Sequence, residues 1–545
     1  MNRSYVLTYN ITDYEFYQTH DKAMLTDYVL NNSFKIRTGL GIESLFNKLR
    51  VVKDFSTLYV YNLGVFAPFL ESYLIKLHYK YDDKLKAMCK DKPRTYNSFR
   101  NDLNQIYNMT ISTESGYDFQ ILDISKIFPG DKIDLLTHYN LDDSCSLLDE
   151  SIAYLDLLDK QFKIDKVKRQ TRSSYAYNEL KKFTVNKYKC KFEELFPKTT
   201  YDEREQLQHA YNGGLVYLNK KYKNKVIKNG LVIDKNSEFP YVMTNRDFPT
   251  GKGVRYEEWH ENAEYPLYIQ KFEAKFKLKP NHIPTLPKNW NKRLKIIESD
   301  EDVDAIDVMT LCNVDFDHFI DNYDISYIKP LYGYMFKSIN APFKEFIEDK
   351  YQQKLEAQLN NDSFGRYYNK ITMNSSYGKF AQYIVTTSRK SYVKADTTIV
   401  YKINKAESKL KSYFPMAIFI AAYGRDELLA TADKHVSDIV YMDTDSIHFR
   451  KRINQSELDI GTNLGQWKVE SEFDKAKYLR EKIYVTETNN VLNIKAAGFT
   501  KSMKATIKSI KDFKYDFDYS GGMQTINVPG GIVYKPITKS IKEDD

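Results

Sequence analysis

Two carboxylates one residue apart, Asp443 and Asp445, stand in the stretch Tyr441-Met442-Asp443-Thr444-Asp445-Ser446. An apolar lead-in from His435 to Val440 precedes them and the alternating Ile447-His448-Phe449 follows, which predicts a strand, a tight acidic turn and a second strand. Like charges that close repel; a divalent cation using both as oxygen ligands relieves the repulsion. Asp and Thr also suit an ordinary solvated turn, and the stretch alone leaves both readings open. A third carboxylate, Asp234, ends the buried-type strand Leu231-Val232-Ile233-Asp234 and is followed by Lys235-Asn236-Ser237-Glu238-Phe239-Pro240. An acid at a strand end, then a turn with free backbone N–H groups, can hold a metal ion and a triphosphate together. Pro240 is expected to keep the chain out of an unbroken helix.

Between these acids lies a cationic helix pattern. Arg366 and Lys370 are one helical turn apart, and Asn374 and Tyr377 continue the same face. Cations for phosphates with an aromatic for base and sugar suit a nucleotide. Gly378 reads as the helix end or a close approach to another backbone. Near the N-terminus, Asp13-Tyr14-Glu15 follows a strand-like run over 5–11, a spacing that lets two carboxylates share a metal ion but that also suits a polar loop. Leu58 to Leu63 reads as a buried strand running into a helix from Val65 to Leu77. Phe119 to Asp123 reads as a strand ending in an acid, and Tyr139 to Asp143 as the opening of a helix. Strands mixed with helices, with acids at their ends, fit an α/β nuclease-type domain. Residues 160–200 are basic and polar and read as connection rather than core. Tyr211-Asn212-Gly213-Gly214 is a turn, or lets two backbones approach. Residues 250–340 read as an insertion of strands and Pro-containing turns, 341–359 as a helix, 382–413 as a two-stranded excursion and 416–429 as a buried helix.

At 545 residues the chain is expected to fold as three or more domains. No apolar run approaches the ~18 residues of a membrane span, and the first residues lack the apolar core and cleavage site of a signal peptide. The four cysteines, Cys89, Cys145, Cys190 and Cys312, are too scattered for a zinc cluster, which argues for an intracellular compartment. The net charge of +8 is mild. Lysines interleaved with tyrosine, as in Lys220-Lys221-Tyr222-Lys223 and over 501–514, suit phosphate contact with base stacking, or reflect a coding bias.

Taken together, Asp234 with Ser237-Glu238-Phe239-Pro240, Lys370 with Asn374-Ser375-Ser376-Tyr377-Gly378, and Tyr441-Met442-Asp443-Thr444-Asp445-Ser446 resemble motifs A, B and C of family B DNA polymerases. Tyr211-Asn212-Gly213-Gly214 and Lys495-Ala496-Ala497-Gly498 narrow the resemblance to the protein-primed branch, typified by polymerases of small Bacillus phages with linear genomes. The resemblance implies an α/β multidomain chain. An N-terminal RNase H-like 3′–5′ exonuclease-type domain (1–200) precedes a right-hand polymerase domain with two insertions. The parts are a linker and first palm segment (201–249), an insertion contacting a terminal protein (250–330), fingers (331–381), a second insertion for processivity and strand displacement (382–413), palm (414–485) and thumb (486–545). It implies catalysis by Asp234, Asp443 and Asp445, with Asp234 and Asp445 holding two Mg2+ or Mn2+ ions. Phe239, Arg366, Lys370, Asn374 and Tyr377 meet the deoxynucleoside triphosphate, Phe239 blocking a ribose 2′-hydroxyl. Tyr211, Gly213, Gly214, Ser375, Gly378, Thr444 and Lys495 meet the DNA template-primer. The implied location is the host-cell cytoplasm. Glu238 stands where the family usually has an apolar residue, and the resemblance gives no account of it. For the exonuclease, Asp13 and Glu15, Asn62, Asp123, Tyr139 and Asp143 are candidates, but Phe66 occupies the place of a carboxylate. Proofreading is therefore expected to be reduced or absent. A relative primed by ordinary nucleic acid, and a non-catalytic nucleic-acid-binding relic, are the competing readings.

Overall fold

The computed structural model describes residues 3–14, 22–32, 35–50, 56–82, 85, 92–101, 106–115, 118–127, 141, 145–159, 171–257, 262–286, 306–393, 399–410, 412–528 and 531–543. Among them a seven-stranded antiparallel sheet carries the acidic motifs. Its spatial order is Val491–Ala496, Ile483–Thr488, Trp467–Arg480, Val226–Lys235, Ser446–Phe449, Ile439–Asp443 and Val216–Leu218. The side-chain period of two divides the central strand between two cores. Leu231 and Ile233 pack with Met442, Ile447, Phe449 and Trp467 on one face, and Val232 packs with Val440, Tyr441 and Tyr478 on the other. Helix Phe414–Ala432 covers the first face. It is buried without interruption from Phe414 to Arg425, so its apolar residues show no one-sided pattern.

The N-terminal region contributes eight strands of a ten-stranded sheet in which Arg3–Tyr14, Ser56–Val60 and Asp118–Asp123 run parallel. The hairpin of Tyr383–Val393 and Ile399–Leu410, the expected excursion, extends this sheet by pairing Thr386 with Asn101 and Thr387 with Arg100. The expected insertion over 250–330 contributes most of a four-stranded sheet, ordered Asp247–Tyr256, Tyr323–Asn340, Leu267–Leu278 and Asp307–Cys312. It has its own core of Phe272, Phe276, Leu311, Phe319 and Tyr323. A C-terminal hairpin, Asp518–Val528 with Gly531–Ser540, rests against helix Leu63–Lys76 and strand Lys22–Asn32.

Three local expectations need correction. Residues 160–200 are more than a connection: Leu180 of helix Arg172–Tyr188, Phe192 and Phe196 enter the largest core beside Phe343, Phe380 and Phe414. The helix buries a narrow stripe, Ala176, Leu180 and Thr184, and so reads as polar. Gly378 does not end its helix, which runs Ser363–Ala381. Pro240 does not exclude a helix either. It sits in the first turn of the short helix Glu238–Val242, where a missing N–H removes no helical bond.

Candidate active site

Asp234 arrives at the end of Val226–Lys235, opposite Ser446 on one side and Lys468 on the other. Asp443 also stands opposite Ser446, so the two aspartates share one level of the sheet, two strands apart. Asp445 lies in the turn between strands, and its carbonyl accepts from the Lys235 N–H at 2.7 Å. Thr444 has φ 62, a left-handed conformation that a β-branched residue adopts at a cost of roughly 1–3 kcal/mol. It is held there by its N–H bond to the Leu215 carbonyl, 2.8 Å. A Cβ on Gly214 would come within 2.6 Å of the Thr444 side chain, whereas Gly213 has open space. The close approach read from the paired glycines therefore belongs to Gly214.

The three carboxylates differ in their partners. Asp234 Oδ1 pairs with Lys468 Nζ at 2.6 Å. Asp443 meets Lys482 Nζ at 2.8 Å and accepts from the Tyr441 hydroxyl at 3.0 Å and the Thr444 hydroxyl at 3.2 Å. Asp445 has no ion pair among the described residues. Burial, then the charges of Asp234 and Asp443, push its pKa up to about 6. Among the described residues no three His, Cys, Asp or Glu side chains stand close enough to hold a metal ion outright. An oxygen-seeking divalent ion nonetheless fits Asp234 and Asp445, whose mutual repulsion it relieves, with water or substrate oxygens completing its shell.

A cationic wall faces these acids. Lys354 of helix Lys344–Leu359 has its pKa pushed down to about 8 by burial and then by Lys370, Arg366 and Lys468. A buried lysine depressed by neighbouring cations marks a site that an anion would relieve. Phe239 and Tyr377 stand with ring centroids 4.7 Å apart. The Asn374 side-chain oxygen is buried with no hydrogen-bond partner, Ser375 is half-buried and Gly378 is exposed. Tyr211 packs on Phe414 at 5.6 Å. The carbonyls of Asn212 and Gly213 accept from Arg425 Nη1 at 2.8 and 2.7 Å. Lys495 is exposed on the edge strand, three strands from that of Asp234 and opposite Tyr484. The lysines that reach the carboxylates are Lys468 and Lys482.

Glu238 points inward. It is 2% exposed, and neither carboxyl oxygen has a hydrogen-bond partner. Burial, then the charge of Asp445, hold its pKa well above the usual range.

Of the N-terminal carboxylate candidates, Asp13 and Asp123 lie among the described residues, at different levels of the sheet. Asp13 pairs with Ala23, six residues beyond Leu7, where the first strand stops pairing with Ser56–Val60. At ~3.3 Å per residue that is about 20 Å past the level of Val60. Glu15, Tyr139 and Asp143 lie outside the described residues. Asp123 is a structural cap. Its carboxylate accepts from the N–H groups of Asn62 (3.1 Å), Leu63 (3.0 Å) and Ser125 (3.0 Å), and from the Ser125 hydroxyl (2.6 Å). Phe66 is fully buried, its ring 5.4 Å from that of Tyr9. The Tyr9 hydroxyl donates to the carbonyls of Tyr61 and Asn62 at 3.1 and 3.2 Å.

The model of the family DNA polymerase type B, organellar and viral, matches residues 145–462, a span that takes in Asp234, the cationic helix and Asp443 to Asp445. The chain belongs to this family. The DNA polymerase of Bacillus phage Nf is 31% identical over 409 residues, 71% of this chain and 70% of its own. That of Streptococcus phage Cp-1 is 28% identical over 397 residues, 69% and 68%. Phi29 DNA polymerase, solved with primer-template DNA and incoming nucleotide substrates, superposes with a TM-score of 0.87 at 25% identity, covering 99% of this chain and 100% of that one. The polymerase is thus an α/β multidomain enzyme with an exonuclease-type domain ahead of a polymerase domain. The family match stops before Lys468 and Lys482. Sequence reasoning missed both of these and Lys354. Lys354 sits on a polar helix with no periodic sign of its role, because the cations it joins are on another helix and a distant strand.

Proposed function

We propose that this polymerase extends a DNA primer strand with deoxynucleotides, using Asp234 and Asp445 to hold two divalent ions, Mg2+ or Mn2+. When bound, the ions favour the ionised 3′ oxygen and neutralise the leaving pyrophosphate. The observation that carries the reading is the union of Asp234 and Asp445 at one end of the palm sheet, beside the wall of Lys354, Arg366, Lys370 and Lys468. Asp443, tied to Lys482 and Tyr441, orients the turn more than it binds a metal. Tyr377 and Phe239 line the nucleotide's base and sugar. The loop Tyr211 to Gly214, with Ser375 and Thr444, tracks the template-primer. The domain divisions set out from the sequence carry over as proposals, with the hairpin over 383–410, leaning on the N-terminal sheet, enclosing the template during strand displacement. Synthesis starts from a terminal-protein hydroxyl, in the host cytoplasm, on a linear viral or plasmid genome. Extension of a primed circle, with and without a strand to displace, tests this. Addition of one nucleotide to a partner protein without any oligonucleotide distinguishes protein priming from ordinary priming. No extension at all sinks the reading.

Three further results are expected. Lys354, with its pKa at about 8, loses its charge as pH rises through that value in the nucleotide-free enzyme. The kcat/KM for nucleotide should therefore fall above pH ~8, and Lys354→Met should remove that inflection while raising KM. Phe239→Ala should raise ribonucleotide incorporation at least about tenfold relative to deoxynucleotide in single-turnover competition. With Asp123 spent as a cap and Phe66 against Tyr9, a labelled single strand should survive incubation with the enzyme and metal. Degradation at a rate like that of an intact relative would refute the loss of proofreading.

A further inference from the structure

Glu238 is a costly residue to bury: a carboxyl taken out of water needs a partner, and among the described residues neither oxygen has one. Its seat is built for it. Ser237, at φ 55, turns the chain into the short helix Glu238–Val242. Helix Phe414–Ala432 packs over it at Gly424, where a Cβ would clash with the Phe239 ring at 2.7 Å but meet Glu238 Oε2 at an ordinary 3.4 Å.

The surrounding charges do not supply the missing partner. Asp234 is matched by Lys468 at 2.6 Å and Asp443 by Lys482 at 2.8 Å. Glu427 is matched by Lys235 at 2.8 Å and Arg246 at 2.6 Å. Lys235, the cation that acts most on Glu238, is further occupied by the rings of Tyr241 and Trp467. Asp445 and Glu238 are left with no ion pair among the described residues, and of all charges acting on Glu238 that of Asp445 is the largest. Two neighbouring acids with no matching cation make a place for one.

We propose that Glu238 is a further carboxylate of the metal site, holding a divalent cation at Asp445 through a bridging water, so that the site loads a cation before nucleotide or primer arrives. This rests on the reading of Asp234 and Asp445 as cation ligands. Carboxylates in the outer shell of a metal site commonly change affinity by about tenfold or more.

The test uses the full chain without DNA or nucleotide. Mn2+ binding is titrated by electron paramagnetic resonance, and Tm is measured with and without Mn2+. Glu238→Leu and Glu238→Gln should each weaken Mn2+ binding about tenfold. Without metal Glu238→Leu should melt above wild type, and Mn2+ should raise its Tm less. Asp445→Asn should lose the site. If both Glu238 variants bind Mn2+ as wild type does while Asp445→Asn does not, the proposal is overturned and the aspartate reading stands. If Asp445→Asn also binds as wild type does, the aspartate reading itself falls. Metal-free Glu238→Leu melting below wild type would mean that the carboxyl has a structural partner, which overturns the proposal. Glu238→Gln keeps the side-chain volume should the leucine variant not fold.

Discussion

Asp445→Asn should lower primer extension by about a thousandfold or more, since loss of a charged ligand for the ions removes several kcal/mol of transition-state stabilisation. The same substitution should stabilise the metal-free fold. Burial and the charges of Asp234 and Asp443 raise the Asp445 pKa from 3.8 to about 6. The folded chain therefore binds this proton more tightly than the unfolded chain does. The resulting cost is fully present above pH about 6 and is relieved as pH falls towards about 4. At neutral pH, Asp445→Asn should thus melt above wild type without metal, and added Mg2+ should raise the Tm of wild type alone. Single-turnover extension and thermal melts with and without Mg2+ read both effects. A variant that loses activity yet melts lower in metal-free buffer would contradict the repulsion described here, because the asparagine would then have removed a favourable contact.

The acidic turn shows how far a sequence carries such a site. The hairpin and the strand end at Asp234 were legible because each is local: alternation, a turn and a carboxylate at a fixed offset. Their union was legible only through the order of three motifs, since nothing local pairs Asp234 with Ser446. The partners of the carboxylates were not legible. Lys468 sits in a strand whose alternation is that of any half-exposed sheet, and Lys482 in the tight turn that follows it. The N-terminal region misled for a related reason. Asp13-Tyr14-Glu15 has the spacing of a metal pair, but the strand runs on into its hairpin with Lys22–Asn32 and carries Asp13 away from the end of Ser56–Val60. Asp123 has the position of a catalytic acid at a strand end, and is consumed by accepting from the first N–H groups of helix Leu63–Lys76 and from Ser125. Residue type and spacing nominate a carboxylate; only its donors tell a ligand from a cap.

Arg425→Met should be the most damaging single change away from the carboxylates. Arg425 is buried in helix Phe414–Ala432 and joins three pieces distant in sequence. Its Nε and Nη2 donate to the Asp315 carboxylate at 2.9 and 2.6 Å, a bidentate pair with helix Asn313–Asn322. Its Nη1 fixes the carbonyls of Asn212 and Gly213. The loop so held continues into Gly214 against Thr444, so the position of the acidic turn depends on it. Methionine strands the Asp315 charge, a loss of about 3–5 kcal/mol, and frees the loop. The expected results are a Tm several degrees lower, protease cleavage near residues 211–214 and weaker primer-template binding by fluorescence anisotropy. The double variant Arg425→Met/Asp315→Leu separates the two roles. Replacing a buried ion pair with apolar groups of similar size is often close to neutral, so most of the stability should return. DNA affinity should not, because the loop carbonyls still lack their donor. If the double variant recovers both, the loop does not need Arg425, and the link from the buried pair to the template strand is wrong.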